Sequence, residues 1–504
     1  MFKKFRGGHL IDEYQKEKQI RKDKKALQRM IKFIIALTIS LVVWLMPTAS
    51  FGIDGLTVVE QRVIATFCFA TLMWVLEPIP SWTTSVLIVV ILLFTCSDSA
   101  LSWLVDMDET QRGVLISYKS IMSCFAHPVI MLFIGGFVLA IAATKSGLDV
   151  KLAKVLLKPF GTKSENVLLG FLLVTGIFSM FLSNTATAAM MLAFLTPVLK
   201  SLPANGKGKV ALTMAIPVGA NVGGIGTPIG TPPNAIAISF LNDPAGMNMG
   251  IGFGQWMMVM VPFALLLLVL AWFVLRNLFP FTQKTIELKI EGESKTDWQS
   301  IVVYVTFAIT ILLWMSDSVT GINSNVVAML PVGVFAACGI LTRQDLEEIN
   351  WSVLWMVAGG FALGVALQDT GLAKHLIATI PFNTWPPILM ILGSGLLCYA
   401  MANFISHTAT ANLLIPILAL AGMSAAENLA PLGGVSTLLI GVALGSSLAM
   451  LLPISTPPNA LAHSTGLIEQ KEMMKVGIIM GTCCIKGLFI FGLNGTFMLS
   501  PQLI

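Results

Sequence analysis

An eight-residue tract of mostly small and polar residues occurs twice in this chain. Phe181-Leu182-Ser183-Asn184-Thr185-Ala186-Thr187-Ala188 returns 223 positions later as Phe404-Ile405-Ser406-His407-Thr408-Ala409-Thr410-Ala411. Thr231-Pro232-Pro233-Asn234-Ala235 returns 225 positions later as Thr456-Pro457-Pro458-Asn459-Ala460. Upstream, Gly135-Gly136-Phe137 with Gly147-Leu148 returns 224 positions later as Gly359-Gly360-Phe361 with Gly371-Leu372. Chance likeness between apolar segments would not hold three landmarks in one register, so the chain is a duplication with its seam in the charged linker 281–298. Whatever fold it adopts must be built twice.

The medium of that fold follows from charge. Of 504 residues 56% are hydrophobic and 11% charged, whereas a soluble chain carries about 25% charged residues. A water-soluble enzyme is excluded, and so is a disordered or nucleic-acid-binding chain, because the net charge of +5 comes largely from one short tail. Apolar runs near 32–51, 59–76, 82–96, 124–144, 210–240, 253–279, 299–317, 324–341, 351–367, 431–464 and 474–497 are candidate membrane spans. The first 32 residues hold eleven Lys and Arg. That run is too long and too basic for a signal peptide and fits a cytoplasmic tail before a retained span. The expected organisation is a tail at 1–31, a first span and first repeat at 32–280 and the linker at 281–298, followed by a second repeat at 299–504. The seven cysteines mostly sit inside apolar runs without CxxC or metal-ligand spacing, and read as small hydrophobes.

Two apolar segments differ from the spans. Segment 164–199 is interrupted by a Ser/Thr-rich tract at 183–187 and segment 386–421 by one at 406–410; the flanking arms are 164–182 and 186–199, of 19 and 14 residues, and 386–405 and 409–421, of 20 and 13. The short arms fall below a full crossing, so both segments are expected to be re-entrant hairpins. Basic residues set the orientation of the halves. Lys145, Lys151, Lys154, Lys158 and Lys163 follow the first Gly-Gly span, where the second has only Lys374. Lys200, Lys207 and Lys209 have no basic counterpart in 422–430, while 241–252 lacks the charge that Lys471 and Lys475 give its counterpart. Matching loops therefore face opposite sides of the bilayer. The expected fold class is an all-α polytopic membrane protein, about 11 transmembrane helices plus two re-entrant hairpins in an inverted repeat, an architecture of secondary transporters with a midplane site.

The chemistry concentrates in four tracts. Segment 223–233 has seven Gly or Pro among eleven residues, in the middle of an apolar run. No helix crosses it intact, since Pro lacks the N–H and Gly is costly in a helix interior. Unwound backbone at membrane depth survives where it is buried in protein or lines a wet cavity. Its carbonyls suit a bare cation and the adjoining half-helix N-termini suit an anion. Leu452-Pro453-Ile454-Ser455-Thr456-Pro457-Pro458 is the second break. A simple proline kink would explain one copy alone, but not two copies each paired with a polar hairpin tip. The four tracts carry Ser, Thr, Asn and one His, with no carboxylate, Lys or Arg. Thr185, Thr231, Thr408 and Thr456 are the candidate donors to a delocalised oxyanion. An unpaired carboxylate is costly in such a site, so a mobile cation is the simplest counter-charge, and hard oxygen ligands suit sodium.

The paired hairpin tips, the Thr-Pro-Pro-Asn breaks and Glu77-Pro78-Ile79-Pro80 resemble the divalent anion:sodium symporter family, over about residues 40–500. The resemblance implies a homodimer in the cell (inner) membrane, its N-terminus cytoplasmic, in which a transport domain moves elevator-fashion against a scaffold. It implies sodium-coupled uptake of C4-dicarboxylates such as succinate, malate or fumarate, with sodium as the coupling ion and no organic cofactor. By position, Ser179, Ser183, Asn184 and Gly230 would hold one sodium, with Ser406 the serine of the second tip. Asn184 with Thr185, and His407 with Thr408, would each hold a substrate carboxylate, and Thr231, Thr456 and Pro457 would complete the pocket.

Two positions depart from the family pattern. His407 stands where Asn is usual, and Ala402 where a sodium-ligating Thr is common. In the simpler reading a neutral His407 donates one ring N–H as an Asn amide would. In the sharper one the second cation site is altered, giving fewer sodium ions, proton coupling or anion exchange. Exchange of citrate, 2-oxoglutarate or another di- or tricarboxylate, and transport of sulfate, remain open as substrate readings. An anion channel would need a continuous pore, and an enzyme would need a catalytic or nucleotide motif that the sequence lacks. Lys486, midway along the last span, is a candidate functional cation or a packing residue. His127 and His463 are expected to cap or pack, and Glu77, which begins the Glu-Pro-Ile-Pro turn, to be an interfacial structural carboxylate rather than a proton carrier.

Overall fold

The computed structural model describes residues 6–200, 202–203, 206–243, 247–286 and 295–493, with side chains described between 26 and 484. Among these residues the regular structure is helical and no strand occurs. Among the described residues eight helices are long and apolar enough to cross a bilayer, and a ninth crossing is available as the bent pair Ala426–Leu432 and Gly434–Ser447. Three shorter apolar elements, Ser81–Thr95, Ser324–Ala337 and Pro387–Ala402, supplement them. The protein is an all-α membrane protein, as its charge content requires.

The chain divides into two compact units, one running to Ile121 and including Ala362–His375, the other comprising Met122–Phe361 and the chain from Leu376. In the first unit, helix Arg6–Leu45 continues without a break from the basic tail into the first span. It packs against Val58–Leu76, which packs against Ser81–Thr95. A capping box between Thr57 and Glu60 starts the middle helix. Glu77, at φ +47°, ends it in a left-handed turn, which is the local work of the Glu-Pro-Ile-Pro sequence. The start of this helix carries a buried polar layer that composition did not announce. Gln61 donates to the carbonyls of Val43 and Trp44 at the end of the first span, at 3.1 and 3.0 Å. Arg62 donates to the carbonyls of Thr95 (2.8 Å) and Leu104 (2.7 Å), and Glu60 lies 2.8 Å from His375 Nδ1. Helix-end carbonyls have no partner within their own helix, and these side chains supply one.

The second unit contains both hairpins and both breaks. Ser164–Phe181 and Asn184–Lys200 form the first hairpin, and Pro387–Ala402 and His407–Ser424 the second. The returning arms are longer than the sequence expected, because the polar tip residues join the first helical turn. Ser183 Oγ accepts from Ala186 N and Ser406 Oγ from Ala409 N, both at 3.2 Å, so each tip serine is the cap that lets its helix begin there. The spans expected at 210–240 and 431–464 are each broken, into Lys207–Gly224 with Pro232–Leu241 and into Gly434–Ser447 with Pro457–Ser464.

The two halves interlock through their short half-helices. The first hairpin packs on Lys207–Gly224 and the second on Gly434–Ser447. Half-helix Pro232–Leu241 of the first repeat packs against His407–Ser424 and Gly434–Ser447 of the second. Half-helix Pro457–Ser464 of the second repeat packs against Asn184–Lys200 and Lys207–Gly224 of the first. The returning arm of each hairpin therefore packs against the short half-helix of the other repeat.

Candidate functional site

The breaks are held open by their own asparagines. Asn234 donates its amide to the carbonyls of Gly224 (3.0 Å), Ile225 (3.3 Å) and Thr227 (2.8 Å). Asn459 does the same for Met450 and Leu452, both at 3.0 Å. The carbonyls that Gly and Pro release from the helical ladder are thus recaptured by one side chain seven to ten residues on. Trp256 adds an indole N–H to Ile225 O at 3.1 Å. A cross-repeat link joins the breaks to each other. Asn221 Nδ2 lies 3.1 Å from Asn459 Oδ1 and 3.3 Å from Thr456 Oγ1. Asn221, Trp256 and the stapling role of Asn234 and Asn459 were not anticipated from sequence. The Asn in each Thr-Pro-Pro-Asn was the available signal for the staples; no local pattern points to the other two.

At the first tip, Ser179 Oγ sits 2.5 Å from Asn184 Oδ1 and 2.8 Å from the carbonyl oxygen of Ala220. The Asn184 amide and Gly230 O both approach Gly224: a Cβ there would stand 2.8 Å from Asn184 Oδ1, 3.0 Å from its Nδ2 and 3.2 Å from Gly230 O. A Cβ on Gly230 would likewise meet the Gly224 carbonyl oxygen. The result is a small cradle between the buried Ser179, Gly224 and Gly230 and the half-buried Asn184, lined by a hydroxyl, a side-chain amide and the Gly230 carbonyl, with space that side chains at positions 224 and 230 would fill. These are neutral hard oxygens, the donor set that suits a sodium ion. Of the residues proposed as sodium ligands, Ser179, Asn184 and Gly230 converge here. Ser183 and Ser406 each cap their own hairpin helix.

At the second tip, His407 is buried and its Nε2 lies 2.8 Å from the carbonyl oxygen of Ala449. Asn403 accepts from Leu451 N at 2.7 Å through Oδ1 and donates to Tyr399 O at 2.7 Å. Ser455 Oγ lies 3.0 Å from Asn403 O and 3.2 Å from its Oδ1. Thr408 is buried where its counterpart Thr185 is exposed. Thr231 and Thr456 both occupy extended N-cap positions of the half-helices. Only Thr456 spends its side chain on the cap, accepting from Asn459 N at 3.2 Å. Pro457 opens the second half-helix and is exposed.

His127 Nδ1 accepts from Val129 N at 3.3 Å, capping helix Pro128–Ser146, and its ring stands 4.1 Å from that of Phe361. His463 lies in the half-helix Pro457–Ser464. The side chain of Lys486 lies outside the described residues. No cluster of His, Cys, Asp or Glu able to hold a metal occurs among the described residues, and their cysteines are free thiols.

Comparison with known proteins agrees with this architecture. The family model described as "Citrate transporter" matches residues 71–438. A sodium-dependent dicarboxylate transporter, SdcS, of Staphylococcus saprophyticus is 27% identical over 480 residues, 88% of each chain. SdcS of Staphylococcus aureus strain USA300 is 29% identical over 440 residues, 80% of each chain. The crystal structure of the YdaH transporter of Alcanivorax borkumensis superposes with a TM-score of 0.56 at 11% identity, covering 83% of this chain and 99% of that one. That likeness concerns the fold alone. The chain belongs to the citrate transporter family and is a membrane transporter of the divalent anion:sodium symporter type, not an enzyme.

Proposed function

We propose that the protein is a secondary active transporter coupling sodium to the uptake of C4-dicarboxylates such as succinate, malate and fumarate. One observation carries the reading: the oxygen cradle of Ser179, Asn184 and Gly230 lies at a hairpin tip whose next residue, Thr185, is an exposed hydroxyl at a helix start. Sodium in the cradle would supply the positive charge that the four tracts lack. A carboxylate at Thr185 and the helix N-terminus would then be neutralised without any fixed cation. Thr408, Thr231, Thr456 and Pro457 belong to the same reading, as the facing side of the anion pocket. The relatives named sodium-dependent dicarboxylate transporters support both the ion and the substrate class.

In this reading the two hairpins are re-entrant, the chain works as a homodimer in the cell membrane with its N-terminus cytoplasmic, and the site moves elevator-fashion. The direct test is ligand-linked stability of the purified protein in detergent. Succinate is expected to raise the unfolding temperature in sodium and not in choline, because a ligand stabilises only the state it binds. If citrate or sulfate stabilises the protein and no C4-dicarboxylate does so or competes, the substrate assignment fails.

A further inference from the structure

The duplication places a known counterpart beside every residue of the first cradle. Gly224 corresponds to Ala449, Gly230 to Ser455, Ser179 to Ala402 and Asn184 to His407. In the first half, Asn184 Oδ1 and Gly230 O converge on the point that a Cβ at position 224 would fill. In the second half that Cβ exists: it is the methyl group of Ala449, fully buried. Ala449 packs in one apolar cluster with Tyr399 and Ala402, and Leu451 lies against it.

Two of the cradle's side-chain oxygens are missing as well. Ala402 has no hydroxyl where Ser179 has one. The Ala449 carbonyl oxygen accepts from His407 Nε2 at 2.8 Å, so a ring N–H occupies the side of the tip where Asn184 turns an amide oxygen in the first half. The Ser455 hydroxyl is held by Asn403 at 3.0 and 3.2 Å. A sodium ion needs several oxygen lone pairs around a void of its own size, and the second tip has a methyl group and an imidazole N–H where the first has a bare glycine and an amide oxygen, and no hydroxyl in place of that of Ser179.

We infer that the second tip holds no cation and that the protein binds a single sodium ion per chain, in the first cradle. This rests on the sodium-coupled reading above and deepens it. One sodium beside a dianion leaves a net negative charge on the moving site. Net uptake therefore runs against an inside-negative membrane potential, whereas exchange of one dianion for another cancels the charge.

Equilibrium binding of ²²Na⁺ to the purified full chain in nanodiscs, with saturating succinate, tests this directly. The expected count is one sodium per chain, and a log–log plot of succinate affinity against sodium concentration should have a slope of one. Ser179→Ala should lower sodium affinity by about 100-fold, so that both are lost at sodium concentrations that just saturate the wild type. Ala449→Gly combined with Ala402→Ser and His407→Asn should raise the count toward two. Should that triple variant fail to fold, the wild-type count still decides. Two sodium ions on the wild type, or one surviving at those concentrations in a folded Ser179→Ala protein, would overturn the inference while leaving sodium-dependent succinate binding intact. A count of zero would overturn the parent reading, and the single-site inference with it.

Discussion

The two hairpin tips descend from one sequence and do different physical work. The first is an open cradle of oxygens, with Ser179 and Asn184 turned toward the carbonyls of Ala220 and Gly230 across glycine backbone. The second is a closed plug, where His407 bonds the Ala449 carbonyl over an apolar cluster of Tyr399, Ala402 and Ala449. What the halves share is the scaffolding behind the tips: a serine cap, a Thr-Pro-Pro half-helix and an asparagine that staples the unwound carbonyls. Scaffolding is retained because each part satisfies backbone groups that have no water to turn to, and its loss would cost the fold itself. Ligand positions carry no such obligation, so one tip could fill in while the other stayed open.

That comparison can be broken experimentally, and the largest effect should come from the cradle. Ser179→Ala should weaken the sodium dependence of succinate binding by about 100-fold, equivalent to roughly 3 kcal/mol, whereas Ala402→Ser, its counterpart, should leave it within about threefold. Equal losses at both positions would erase the distinction between the tips. Next in size are the shared staples. Asn234→Ala and Asn459→Ala should each lower stability by about 1–3 kcal/mol per carbonyl left unpaired, seen as lower unfolding temperatures with sodium and anion absent. Thr185→Ala and Thr408→Ala should each reduce succinate affinity by about fivefold to tenfold, the worth of one neutral hydrogen bond. Full activity in both would remove the proposed anion pocket.

The smallest effect lies at the ends of the Gly-Gly helices, where the first repeat has Lys145 and the second, 224 positions on, has Asp369. Lys145 bonds Asp345 at 2.7 Å. Burial pushes the Asp345 carboxyl up, but hydrogen bonds from Lys145 and Thr342 outweigh it and hold the group below the usual carboxylate range. A lowered value means stabilisation that is present above the ordinary carboxylate pKa and lost as pH falls through the lowered one. Asp345→Asn should therefore cost at most about 1 kcal/mol near neutral pH, since Lys145 is partly exposed, and the difference from wild type should vanish in acid. A difference that persists at low pH would assign the loss to the Thr342 capping box instead.

Much of this was legible because duplication writes its own alignment. The breaks at 223–233 and 452–458 could be read from Gly and Pro content, since no helix runs through either. The hairpin tips could be read from Ser and Thr interrupting apolar arms, although the arms came out longer once Ser183 and Ser406 were seen to cap them. The Gly224-to-Ala449 difference was visible as well, but its meaning was not. Only the structure brings the Asn184 amide to the point where that methyl group would stand. The bond from Asn221 to Thr456 and Asn459 spans more than 230 positions, and nothing periodic marks it. The same holds for Trp256 on the Ile225 carbonyl and Arg62 on those of Thr95 and Leu104. Such links depend on which helices end up adjacent, which local sequence does not encode.

The central claim is that sodium and a C4-dicarboxylate cross the membrane together through this site. Uptake of labelled succinate into proteoliposomes, with sodium, proton and counter-substrate gradients imposed one at a time, tests it most directly. The account predicts uptake that requires sodium, is not driven by a proton gradient, and is strongest when unlabelled dicarboxylate is waiting inside. Uptake of equal rate in sodium-free medium, or no transport of any C4-dicarboxylate, would contradict it.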